Sequence, residues 1–94
     1  MSLLEQAYKE LYQEDASRSL ILKYSGRFKG YNANIRMTHS DITVNASRQW
    51  KGVSPDIQKG LLQELLVRLF KTKNQTINMD LYHHFIKKIG RAHV

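Results

Sequence analysis

The sequence predicts an α+β domain in which an N-terminal helix is followed by a three-stranded antiparallel sheet and then by two C-terminal helices. Three observations carry this reading. From Pro55 to Lys71 apolar residues recur at helical spacing, placing Ile57, Leu61, Leu62, Leu65, Leu66, Leu69 and Phe70 on one broad face. Between residues 19 and 46 lie three short β-prone runs, two of which alternate apolar and polar residues with the period of a half-buried strand. The chain has 94 residues, enough for one modest core but not for two, so residues 1–94 are read as a single domain.

The first element is a helix from about Leu3 to Glu14, with Leu3, Leu4, Ala7, Tyr8 and Leu11 on one face and Glu5, Lys9 and Gln13 elsewhere, expected to pack on the sheet. Ser19 to Tyr24 is a strand ending near Ser25, and Ser25 to Asn32, with two glycines and an asparagine, suits a long hairpin loop. Ala33 to Thr38 and Asp41 to Ala46 are two further strands, Ile35/Met37 and Ile42/Val44 alternating with polar residues across a His39-Ser40 turn. Ser47 to Val53 is a connector whose Trp50 is expected to close over the core. Ser54 is the expected N-cap of the central helix, with Pro55 at its first position and Asp56 in its first turn. On that helix Val67 projects away from the apolar centre, on the side of Gly60, Gln63 and Lys71, which is where a functional face is to be sought. After the turn KTKNQT a last helix runs from about Asn78 to Ile89. Met79, Leu81, Tyr82, Phe85, Ile86 and Ile89 form its apolar side, and Asp80, His83, His84, Lys87 and Arg91 the other.

The net charge is +7, and four of the eight acids (Glu5, Glu10, Glu14, Asp15) lie in the first fifteen positions. Residues 16–94 therefore carry fourteen basic and four acidic groups, a net +10, an excess suited to phosphate contacts. A winged helix, the usual small basic DNA-binding fold, places its recognition helix before the wing strands, which the order here does not do. The absence of cysteine excludes disulfides and thiolate metal sites. No 18-residue apolar run exists and acids interrupt the apolar positions of the N-terminus, so the expectation is a soluble cytoplasmic protein, monomeric or weakly self-associating, without a membrane span or secretory signal.

Enzymatic motifs are missing. Ser25, Ser40, Ser47 and Ser54 lack the glycine elbow of a serine nucleophile, Gly26 to Gly30 matches neither a P-loop nor a dinucleotide fingerprint, and the few acids do not pair as in a glycosidase. Asp80, His83 and His84 share one side of a helix at metal-ligand spacing, but an exposed Asp80–His84 pair accounts for them on a polar face. His39, in a turn, and His93, near the end, have no evident partner. No metal or cofactor is expected. The best surface feature is YSGRFKGYN, where Arg27 and Lys29 suit phosphate while Phe28 and Tyr31 either stack on bases or fold back over the sheet. With Arg36, Arg48 and Lys51 these residues make a candidate nucleic-acid contact surface.

The succession of a helix, strands ending in ITVN, a tryptophan-bearing connector and the long helix GLLQELLVRLF resembles the minimal zincin scaffold of SprT-like and gluzincin-type metallopeptidases, over roughly Leu3 to Phe70. That family carries H-E-x-x-H on this helix, two histidines for Zn²⁺ and a glutamate as general base. Here the frame reads Gln63-Glu64-Leu65-Leu66-Val67, in which only the glutamate matches. Glu64 also stands four residues before Arg68, the favoured direction for a helical ion pair. His83 and His84, the only nearby replacement ligands, are expected to turn away from the central helix. The resemblance thus implies a non-catalytic, zincin-like domain without zinc ligands, a protein- or peptide-binding module offering the strand Asp41 to Ala46 as an edge for strand addition. The alternative is a small basic nucleic-acid-binding protein.

Overall fold

The computed structural model describes residues 2–89, and of the residues singled out above Arg91 and His93 lie outside that range. Helix α1 spans Leu3–Tyr12. Its start is fixed by a capping box, the Ser2 hydroxyl accepting from the Glu5 amide and the Glu5 carboxylate from the Ser2 amide. The Ser2 amide, with the Ser2 side chain adding to it, holds the Glu5 carboxyl below its ordinary pKa. The helix ends short of Glu14 because Gln13 adopts a left-handed conformation, φ 59°, and closes the last turn onto Lys9.

The sheet contains β1 (Ser19–Ser25), β2 (Ala33–Met37) and β3 (Asp41–Ser47). It is mixed, not purely antiparallel: its order is β1-β3-β2, with β3 parallel to β1 and antiparallel to β2. Residues 26–32 consequently do not close a hairpin; they carry the chain across the end of β3, to which Asn32 is tied. The Asn32 carbonyl accepts from the Ser47 amide at 2.8 Å and from Trp50 Nε1 at 3.2 Å, and the Asn32 amide donates to Ser47 Oγ at 3.2 Å. The tight turn is the one between β2 and β3, where Thr38 bonds both ways with Asp41. Being central, Asp41–Ser47 is not an edge, and its backbone groups are taken by strands on both sides. The docking edge expected there does not exist.

One sheet face is buried. Ile42, Val44 and Ala46 of β3 lie in the core with Leu20, Leu22 and Tyr24 opposite them on β1 and Ala33 and Ile35 on β2. Buried residues of all three helices join the same core, so the helices share one side of the sheet. A 3₁₀ turn at Arg48–Gly52 buries Trp50 completely. The indole lies 5.2 to 6.1 Å, centroid to centroid, from the rings of Tyr31, Phe85 and Tyr82, the closing role expected of it.

Helix α2 spans Pro55–Phe70, capped by Ser54 Oγ on the Ile57 amide, as its sequence requires. Helix α3 spans Ile77–Ile89 and buries Met79 and Tyr82. The two cross at Gly60, where a Cβ would come within 2.0 Å of the Asn78 carbonyl oxygen. Only glycine permits that approach. Among the described residues no helix is long and apolar enough to cross a membrane.

Candidate functional site: a filled helix junction and an open basic sheet face

The frame Gln63-Glu64-x-x-Val67 occupies a junction of the three helices. Seven residues of α2 are buried, Gln58, Gly60 and Gln63 as well as four leucines, because the sheet core covers one side of the helix while α1 and α3 cover the other. The side taken from the sequence as a functional face is therefore a packing face: Gly60 seats α3, and half-buried Val67 packs against the core.

Gln63 is 0% exposed and spends both ends of its amide. Nε2 donates to the Ala7 carbonyl of α1 at 3.2 Å, and Oε1 accepts from the Thr76 hydroxyl, whose oxygen also caps the Met79 amide of α3 at 3.0 Å. Asn74 and Thr72 add bonds from the α2–α3 turn to the Leu11 carbonyl and the Tyr12 hydroxyl of α1. Among the described residues no buried side-chain nitrogen or oxygen is without a partner, as a low-dielectric interior demands.

Glu64, its side chain 13% exposed, receives Arg68 Nε on Oε2 at 3.2 Å and meets His83 Nε2 at Oε1, 2.7 Å away. The Arg68 pair follows from the i, i+4 spacing. The His83 contact does not, and it corrects the expectation that both histidines turn away from α2: α3 crosses closely enough at Gly60 for the ring to reach Glu64. Asp80, His83, His84 and Lys87 line a shallow recess on α3. Next to this cluster Tyr82 is buried, which pushes its phenol up to about 12, with the Arg68 charge opposing and the Glu64 charge adding to the shift.

Zinc, which zincins carry at the corresponding frame, does not fit these residues. The Gln63 amide is engaged at both ends, Val67 has no donor atom, and among the described residues no three His, Cys, Asp or Glu side chains are grouped to hold a metal ion.

The second region is the outer face of the sheet. Residues alternating with the buried ones point away from the helices: Ile21 and Lys23 on β1, Thr43 and Asn45 on β3, Asn34 and Arg36 on β2. The register aligns Lys23, Asn45 and Asn34 in one row and Ile21, Thr43 and Arg36 in the next. At the end of this face the tie of Asn32 to Ser47 and Trp50 brings the loop of Arg27 and Lys29 beside Arg48, whose guanidinium lies 3.5 Å from the position of a Gly26 Cβ. Lys51 sits 5.2 Å from the Tyr24 ring centroid.

Of the candidate contact residues, Arg27, Lys29, Arg36, Arg48 and Lys51 are exposed, and Lys51 lies over Tyr24, a residue of the inward-facing row, rather than on the outer face. Phe28 is half-buried, and Tyr31 is turned inward between Trp50 and Phe85, at 5.2 and 5.3 Å, where it cannot stack on a base. Lys23, Asn34 and Asn45 were not singled out from the sequence, since only the register shows that they share a row. No family model, curated protein or solved structure matches this chain.

Proposed function

We propose that this chain is a non-catalytic domain of zincin-like build that works by binding a partner. The observation that carries the reading is Gln63, which stands at the first ligand position of the degenerate frame and serves as a fully buried bracket from α1 to α3. A hydrolase needs that position open to metal and water; here it is filled by hydrogen bonds that hold the domain together. The order of one helix, three strands and two helices agrees with the resemblance. The outer side of the sheet with its flanking loop is open to a protein, peptide or nucleic-acid partner, whereas strand addition at β3 is ruled out by its central place.

The test is metal content after dialysis, paired with peptide cleavage by wild type and Glu64→Ala. No stoichiometric zinc and no cleavage are expected. One zinc per chain, with cleavage lost in Glu64→Ala, overturns the non-catalytic reading. The zincin build is tested separately with Gln63→His combined with Val67→His: positions one turn apart share a helix face, so zinc uptake is expected of the double variant alone, and a folded double variant that takes up none counts against the build.

A further inference from the structure

The outer sheet face and the acid-bearing helices differ in how their charges are matched. Residues 16–53 contain seven cations (Arg18, Lys23, Arg27, Lys29, Arg36, Arg48, Lys51) and one acid (Asp41), a net +6. Every ion pair among the described residues joins groups outside that stretch: Lys9 to Asp15, Lys59 to Glu10 and Asp56, Arg68 and His83 to Glu64. The cations of the sheet side thus have no carboxylate partner among the described residues. All except Arg18 are exposed.

We infer that this outer face, with the loop of Arg27 and Lys29 and the Arg48 guanidinium beside it, binds the phosphate backbone of a B-form nucleic-acid duplex. The inference names the partner of the binding side proposed above and rests on that reading for the claim that binding is the function. Charge selects a polyanion, and geometry selects a duplex. Lys23 and Arg36 stand on the two outer strands, two strand spacings apart across the sheet and one side-chain repeat apart along it, which puts their Cα atoms about 12 Å apart. That span matches the width of a B-form major groove, about 12 Å. The two cations reach phosphates on opposite sides of the groove while Thr43 and Asn45 lie between them, and the cations at the sheet's end extend the contact along one strand. A single strand is the poorer match because its affinity draws on bases stacked upon aromatic rings. Here Tyr31 packs on Trp50 and Phe85, and the Tyr24 hydroxyl is bound to Gln58 at 2.6 Å.

The experiment is fluorescence anisotropy with short DNA and RNA duplexes, the matching single strands, poly-glutamate and phosphatidylserine vesicles. The DNA duplex should bind more tightly than the RNA duplex, the single strands, poly-glutamate or the vesicles. With up to five phosphate contacts, duplex affinity should fall by roughly 500-fold between about 50 and 200 mM salt. Lys23→Gln with Arg36→Gln should weaken binding by tenfold or more and lower the salt slope by about 2. Arg27→Gln with Lys29→Gln should do the same, while Lys87→Gln with Lys88→Gln on α3 should change neither. Salt-insensitive binding, preference for any of the other ligands, or sheet-face variants that bind like wild type while keeping the wild-type circular dichroism spectrum would overturn the inference. The two proposals fail separately: peptide cleavage with zinc refutes the non-catalytic reading and leaves the surface standing, whereas an inert chain that ignores duplexes refutes only the surface.

Discussion

At the helix junction Gln63 is bonded to Ala7 and Thr76 and the carboxylate of Glu64 is shared by Arg68 and His83, while on the outer sheet face Lys23 and Arg36 have no anionic partner among the described residues. Both regions are polar, and their chemistry is opposite. A buried amide is costly unless both its ends are bonded, so a junction built on Gln63 is a structural device. An exposed cation costs the fold almost nothing, so five of them on one side contribute little to stability. Disruption of the junction should therefore unfold the domain, and disruption of the face should leave it folded.

The largest effect is expected from Gly60→Ala. The added Cβ would stand 2.0 Å from the Asn78 carbonyl oxygen, 2.6 Å from its carbon and 2.7 Å from the Tyr82 Cβ, and two of these atoms are backbone that cannot rotate aside. Displacing α3 should cost roughly 3 kcal/mol, the upper end of ordinary overpacking. Chemical denaturation followed by Trp50 fluorescence reads the loss, since that indole packs on Tyr82 and Phe85 of α3. A variant as stable as wild type would show that the helices do not cross so closely.

The junction should also respond to alkali. The folded-state pKa of Tyr82 is raised to about 12 from an ordinary value of 10.0. Below pH 10 both folded and unfolded phenols are neutral and the stabilisation is complete; between about 10 and 12 the unfolded phenol ionises first, so stability is lost as pH rises. Two pH units correspond to about 2–3 kcal/mol. Denaturation midpoints just below pH 10 and near pH 12 should diverge less in Tyr82→Phe than in wild type, and equal divergence would remove Tyr82 as the cause.

Gln63→Leu should cost roughly 1–3 kcal/mol, because the Thr76 hydroxyl and the Ala7 carbonyl each lose a partner in a buried setting. Equal stability to wild type would mean that the bracket is dispensable. Glu64→Ala should cost no more than about 1 kcal/mol, since both of its partners reach solvent. The smallest effect belongs to Lys23→Gln with Arg36→Gln, expected within about 0.5 kcal/mol of wild type by thermal denaturation. A large destabilisation there would erase the contrast between the two regions.

Elements whose limits depend on neighbouring residues were readable from the chain. Ser54, Pro55 and Asp56 mark the start of α2, Ile42, Val44 and Ala46 mark the inward face of β3, and Trp50 falls into the core because no other position there buries so large a ring. Parts of the candidate site were readable in the same way. Arg27, Lys29, Arg36, Arg48 and Lys51 are exposed as their charge requires and Tyr31 takes the folded-back place of its two alternatives, whereas the side of Val67 is a packing face. The LIL run of β1 is as apolar as anything in the sheet, yet β1 is an edge and β3 the centre.

The sequence by itself determined the order of the helices and strands, the capped helix starts, the strand faces and the charge excess, because capping, side-chain periodicity and composition act within a few residues of chain. Only the tertiary structure decided that β3 lies between β1 and β2, that Gln63 joins α1 to α3, that His83 reaches Glu64, and that Lys23 stands in line with Asn45 and Asn34. Each of these joins groups distant in sequence, and which groups meet is settled by the packing of the whole core rather than by the preferences of any one segment.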